Sequence, residues 1–95
     1  MMSEPIYDYD PANYLNSPEE IETFLLEAFS TGDSGYIAEA IGVAARAKGM
    51  ADVARETGLS REQLYRSFSG EGSPTLKTLL VVLQALGLSL KPSLV

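Results

Sequence analysis

Between Ala51 and Gly70 the chain reads ADVARETGLSREQLYRSFSG, and two arginines and a carboxylate there sit where one helix can present them together. With Leu64 and Phe68 turned inward, the outward set of a helix near 61–69 is Arg61, Glu62, Tyr65, Arg66 and Ser69. A guanidinium forks onto guanine O6/N7 or holds a phosphate, and a carboxylate accepts from cytosine N4. Tyr65 and Ser69 can reach a phosphate or a thymine methyl. This is the chemistry of a helix entering a major groove with its N-terminal half against base edges. The plainer account is a solvated helix on which Glu62 pairs Arg66 at i, i+4. The helix pair that surrounds these residues favours DNA. Arg46, Lys48, Arg55 and Lys77 are candidate phosphate clamps, although Arg46 and Lys48 also suit a helix end, where cations favour the dipole.

Reading DNA requires two short helices locked at a steep angle, and the sequence supplies the parts. Ala54 is small where the second helix must cross the first, and Gly58, four residues on, tolerates the positive φ of a tight turn. Val53, Leu59 and Leu64 are the apolar contacts. Ser60 caps the second helix and joins the DNA-binding set, while Gln63 completes a capping box and is assigned to that cap. The expected helices are near 51–57 and 61–69.

Around this pair the expected architecture is all-α with five helices. Residues 1–16, rich in Tyr, Asp and Pro, read as an extended arm. Ser17-Pro18-Glu19-Glu20 is a helix start, with Ile21, Phe24, Leu25 and Ala28 on one apolar face. Asp33 caps a second helix with Ile37, Ala40, Ile41 and Ala44 inward, stopped at Gly49 after Arg46 and Lys48. Its many alanines permit close helix–helix approach. A final helix near 76–86, capped by Thr75, has Leu76, Leu79, Leu80, Leu83 and Leu86 as its buried stripe. The alternating Leu88-Ser89-Leu90-Lys91-Pro92 stretch is a candidate short strand. The domain divides as arm 1–16, two acidic helices 17–48, helix pair 50–70, final helix 75–87 and tail 88–95.

Charge makes this an unexpected host for a DNA reader. The chain has 95 residues and net charge −6, whereas affinity for a polyanion comes largely from Lys and Arg neutralising phosphates. The imbalance is local. Residues 1–45 carry nine acids (Glu4, Asp8, Asp10, Glu19, Glu20, Glu22, Glu27, Asp33, Glu39) and no base; residues 46–95 carry seven bases against Asp52, Glu56, Glu62 and Glu71. Such asymmetry suggests two surfaces with two kinds of partner. The length fits one domain. Without Cys or His there are no disulfides, thiolate nucleophiles or imidazole metal ligands, and the commonest general base at neutral pH is missing. No basic-then-apolar leader opens the chain and no apolar run approaches the roughly 20 residues of a membrane span, so a cytoplasmic protein without a membrane partner is expected.

Other motifs carry less. Gly70-Glu71-Gly72-Ser73 lacks the Lys-Ser/Thr ending of a phosphate loop and reads as a turn. Asp8, Asp10 and Glu19 fall at calcium-loop positions 1, 3 and 12, but Asn13 replaces the required Gly and Pro11 intrudes. Glu19, Glu20 and Glu22 suit a helix start better than an acid/base pair. Neither catalysis nor a cofactor or metal is expected.

Nearly the whole chain resembles the helix-turn-helix antidote (antitoxin) proteins of addiction modules, HigA-like and of the kind partnered with RelE/HigB-like toxins. The resemblance lies in Tyr9-Asp10-Pro11-Ala12-Asn13-Tyr14-Leu15, Gly32-Asp33 through Tyr36-Ile37-Ala38-Glu39-Ala40-Ile41-Gly42, Ala45-Arg46-Ala47-Lys48-Gly49-Met50, Ala54 to Glu62, Leu64-Tyr65, and Leu79 to Leu90. The helix pair alone is similar to that of many lambda-repressor-like proteins. Against those, Met50 stands where a phosphate-binding Gln is frequent and Ser67 where an apolar residue is usual.

The resemblance implies a lambda-repressor-like domain that holds a basic ribonuclease toxin and represses its own operon through operator DNA. Two partners would suit two surfaces, with residues 1–45 contributing to the toxin contact. Reading DNA also implies a homodimer, because two recognition helices about 34 Å apart are needed on one face of the duplex. The leucine-rich final helix and Leu88–Leu90 are candidates for its seam. Two other accounts remain open here: a stand-alone phage-type repressor without a toxin, and a protein-interaction module that uses the helix pair only for packing.

Overall fold

A computed structural model describes residues 10–93. Among them the chain is all-helical, with α1 at Pro18–Ser30, α2 at Ser34–Lys48, α3 at Met50–Thr57, α4 at Arg61–Ser67 and α5 at Leu76–Ala85. The starts of α1, α2 and α5 have a local cause. Ser17 Oγ accepts from Glu20 N ahead of Pro18, Asp33 accepts from Tyr36 N, and Thr75 accepts from Thr78 N. Each such cap satisfies a donor that the helix itself leaves unpaired.

The expected arm differs where it is described. Pro11–Tyr14 form a 3-10 turn rather than extended chain, capped by Asp10, whose side chain accepts from Ala12 N. Pro11 presets φ for such a turn. Ala12 is buried, and Arg46 on α2 donates to Asp10 Oδ1 at 2.9 Å, tying the turn to α2. Residues 1–9, which include Asp8 of the calcium-loop reading, lie outside the described residues, as do 94–95. Among the described residues no group of three acidic side chains is placed to hold a metal ion. Among the same residues no helix is long and apolar enough to cross a membrane.

α2 is the hub. The expected face of Ile37, Ala40, Ile41 and Ala44 widens to bury Ala38, Ala40, Ile41, Gly42, Val43, Ala44 and Ala45. The cause is tertiary: α1, the 3-10 turn, α3 and α4 all pack on it. Small side chains there let four elements approach one helix.

α5 departs from its expected stripe as well. Leu79, Leu83 and Leu86 turn inward, but Leu76 is 64% and Leu80 43% exposed, while Val82 and Ala85 are buried. α5 packs on α3, and that contact rotates the buried arc toward Val82 and Ala85. The helix ends in a Schellman motif. Gly87, at φ +80°, lets its N–H donate to Gln84 O and Leu88 N donate to Leu83 O. Leu88 thus folds back toward Leu83, and Leu88–Ser93 form no strand.

Candidate nucleic-acid interface

α3 and α4 are joined through Gly58, in the left-handed region at φ +77°, a conformation that costs glycine no Cβ clash. Val53 and Leu64 are among the most deeply buried side chains of the protein, with Phe68 beside them in the core and Ala54 and Leu59 packed against it. The capping box is present in both directions: Ser60 Oγ accepts from Gln63 N at 3.0 Å and Gln63 Oε1 accepts from Ser60 N at 3.0 Å. Gln63 is therefore spent on the cap. Met50 is buried in the core and Ser67 half-buried.

Glycines bring α4 against α2. A Cβ on Gly42 would lie 2.3 Å from the Phe68 carbonyl oxygen, one on Gly35 would lie 2.6 Å from Gly70 O, and one on Gly72 would lie 2.1 Å from Ser67 O. The end of α4 and the turn after it thus approach α2 closely at Gly42 and Gly35, while Gly72 lets the turn close against the end of α4 itself. Sequence reasoning missed this role; the signal was the small-residue run of α2 together with Gly70 and Gly72.

Arg61, Glu62, Tyr65 and Arg66 are all exposed along α4. Glu62 makes no ion pair with Arg66, so the simple i, i+4 account of that arginine does not hold. Ser69, expected on the outward face of a helix reaching residue 69, instead lies beyond α4, which ends at Ser67, and its Oγ donates to Arg66 O at 3.2 Å, closing the turn. Gly72 permits the close return of the chain past Ser67 there, where a Cβ would have no room.

The remaining cations separate by partner. Arg46 pairs with Asp10 at 2.9 Å, Lys48 with Glu56 at 3.1 Å and Arg55 with Asp52 at 2.5 Å. Lys48 Nζ also donates to Ala85 O, serving the C-terminal end of α5, and this contact was not legible in the sequence. Arg61, Arg66, Lys77 and, in the tail, Lys91 make no ion pair among the described residues, and all four are exposed. Three of these four cations lie on α4 and the first turn of α5. Asp10 is held below the ordinary carboxylate range, first by the Ala12 N–H it accepts and then by the Arg46 guanidinium.

Comparison with known proteins supplies the family. A family model described as "Probable addiction module antidote protein" matches residues 5–93. A Haemophilus influenzae protein, described as uncharacterized, is 42% identical over 87 residues, covering 92% of this chain and 90% of that relative. No solved structure matches the chain. A match over nearly the full length, with the helix pair inside it, places the protein: it belongs to the family of probable addiction module antidote proteins.

Proposed function

We propose that the protein is the antitoxin of a type II toxin–antitoxin module, a non-enzymatic regulator in the cytoplasm. It neutralises a basic RelE/HigB-like ribonuclease toxin and represses its own operon by binding operator DNA. The observation that carries the DNA half is the division of the cations. Arg46, Lys48 and Arg55 are held by carboxylates of the same chain, whereas Arg61 and Arg66 stand exposed and without an ion pair beside Glu62 and Tyr65. In this reading α3–α4 is the helix-turn-helix of a lambda-repressor-like fold. Ser60 fixes the start of α4, Arg61, Glu62, Tyr65 and Arg66 meet base edges and phosphates, and Lys77 holds a flanking phosphate. Arg55 contributes only by exchanging Asp52 for a phosphate, and Ser69 acts through the turn. The exposed Leu76 and Leu80 on α5 supply the seam of a homodimer.

The test is a titration against a labelled duplex from the upstream region of the gene, at two salt concentrations, with and without the protein encoded beside it. Salt-weakened, sequence-specific binding that is lost in the Arg61→Ala/Arg66→Ala double variant supports the operator role. Enhancement by the neighbouring protein supports the antitoxin role, and its absence with DNA binding intact favours a stand-alone repressor. Absence of DNA binding in every condition leaves a protein-interaction module and refutes the operator reading. Sedimentation as a monomer at micromolar concentration would remove the α5 seam.

A further inference from the structure

An apolar groove of about 400 Å³ runs between α1 and the chain that follows α5. Its floor is Leu25, Phe29, Leu83 and Leu88, and its lips are Leu26, 64% exposed, and Leu90, 43% exposed. The groove is built by the turn after α5. Gly87 reverses the chain there, Leu88 N bonds Leu83 O, and Leu88 is held over α1. Contiguous with it, through Glu22 and Leu88, a second depression is lined by Glu19 and Glu22 on α1 and by the end of α5. The Glu56 carboxylate there is paired with Lys48, whereas Glu19 and Glu22 make no ion pair among the described residues. Lys91 also lines the groove, a single cation against the Glu19 and Glu22 carboxylates. No lining residue of either depression comes from α4.

Resting on the antitoxin reading above, we propose that this groove is where the toxin is held. Its occupant is a cationic amphipathic segment of that basic protein, with apolar side chains seated between Leu26 and Leu90 and Lys or Arg side chains reaching Glu19 and Glu22. Charge complementarity selects this occupant. Aliphatic lips left in water mark a contact surface, and an apolar trough with carboxylates at one end matches a segment that is apolar along one face and basic beyond it. A second copy docked through the same face would set its own Glu19 and Glu22 near these carboxylates, a like-charge juxtaposition that disfavours it. Because α4 takes no part in the groove, the toxin-bound protein keeps its operator-reading helix free. One chain then serves both partners at once.

The experiment is calorimetric titration of the full chain with the purified protein encoded beside it, using Leu26→Ser, Glu22→Lys and, as the unaffected reference, Arg61→Ala. Leu26 and Glu22 are exposed, so all three variants should melt with the wild type. Leu26→Ser is expected to weaken binding about tenfold, the usual scale for a seated apolar anchor. Glu22→Lys is expected to weaken it at low salt, with the difference shrinking at high salt. Arg61→Ala is expected to bind as wild type. Wild-type affinity in Leu26→Ser and Glu22→Lys overturns the groove while leaving the antitoxin reading intact. Failure of the wild-type chain itself to bind overturns that reading and the groove with it. Unchanged toxin affinity with a lower sedimentation mass in Leu26→Ser assigns the groove to a second copy, which also overturns the proposal.

Discussion

Replacing Gly42 by Ala tests how the candidate reading helix is seated. Gly42 is buried in α2, and the added Cβ would lie 2.3 Å from the Phe68 carbonyl oxygen and 3.4 Å from the Phe68 carbonyl carbon and Cβ. An ordinary contact begins near 3.4 Å, so that carbonyl must retreat by about 1 Å. It is backbone at the end of α4 and cannot swing aside as a side chain would. Overpacking of this kind costs roughly 1–3 kcal/mol. Against it stands about 1 kcal/mol gained by replacing glycine with alanine inside a helix. The unyielding neighbour places the steric cost in the upper part of its range, leaving a net loss of about 1–2 kcal/mol. For a domain of this size that lowers Tm by about 5–15 °C. The retreat also tilts α4, so operator affinity should fall even at a temperature where the variant is fully folded. Melting followed by circular dichroism, with the duplex titration at 10–15 °C below the variant's own Tm, separates the two effects. An unchanged or raised Tm with unchanged DNA affinity would refute the claim that α4 is seated by backbone contact on Gly42.

Three further outcomes are expected. Ser60→Ala removes half of the capping box and should cost about 1 kcal/mol of stability, read as a lower urea midpoint with the same m-value. Leu64→Ala empties a site only 1% exposed and should cost about 2–5 kcal/mol, enough to leave much of a chain this small unfolded at 37 °C. The pH dependence follows from Asp10, whose pKa is lowered on folding: its contribution is present in full above the unfolded-state value and is lost as pH falls through the folded-state value. Tm of wild type and Asp10→Ala should therefore differ by a constant amount at neutral pH and converge in acid; a gap that widens in acid would contradict the assignment.

Short-range signals were legible in the chain. Ser17, Asp33, Ser60 and Thr75 are caps because each side chain meets a backbone N–H only three residues away, a distance that needs no tertiary partner. The turn at Gly58 and the stop at Gly49 follow from local backbone freedom. Full-length likeness to antidote proteins was visible in the residues and agrees with the family match.

Burial and charge pairing were decided by neighbours far along the chain. Periodicity shows that α5 has an apolar side, but its packing on α3 chose Val82 and Ala85 over Leu76 and Leu80. Composition shows seven cations, yet Arg46 is claimed by a carboxylate 36 residues away and Lys48 by a carbonyl 37 residues away. The groove beside α1 is made by residues more than fifty positions apart, and its far side is completed where Gly87 turns the chain back. A cap or a helical period is an interaction between residues a few positions apart, so the sequence alone determines it. Which apolar side chains stay in water, and which charges stay available to a partner, depends on the surfaces that meet after folding, and only the tertiary structure decides that.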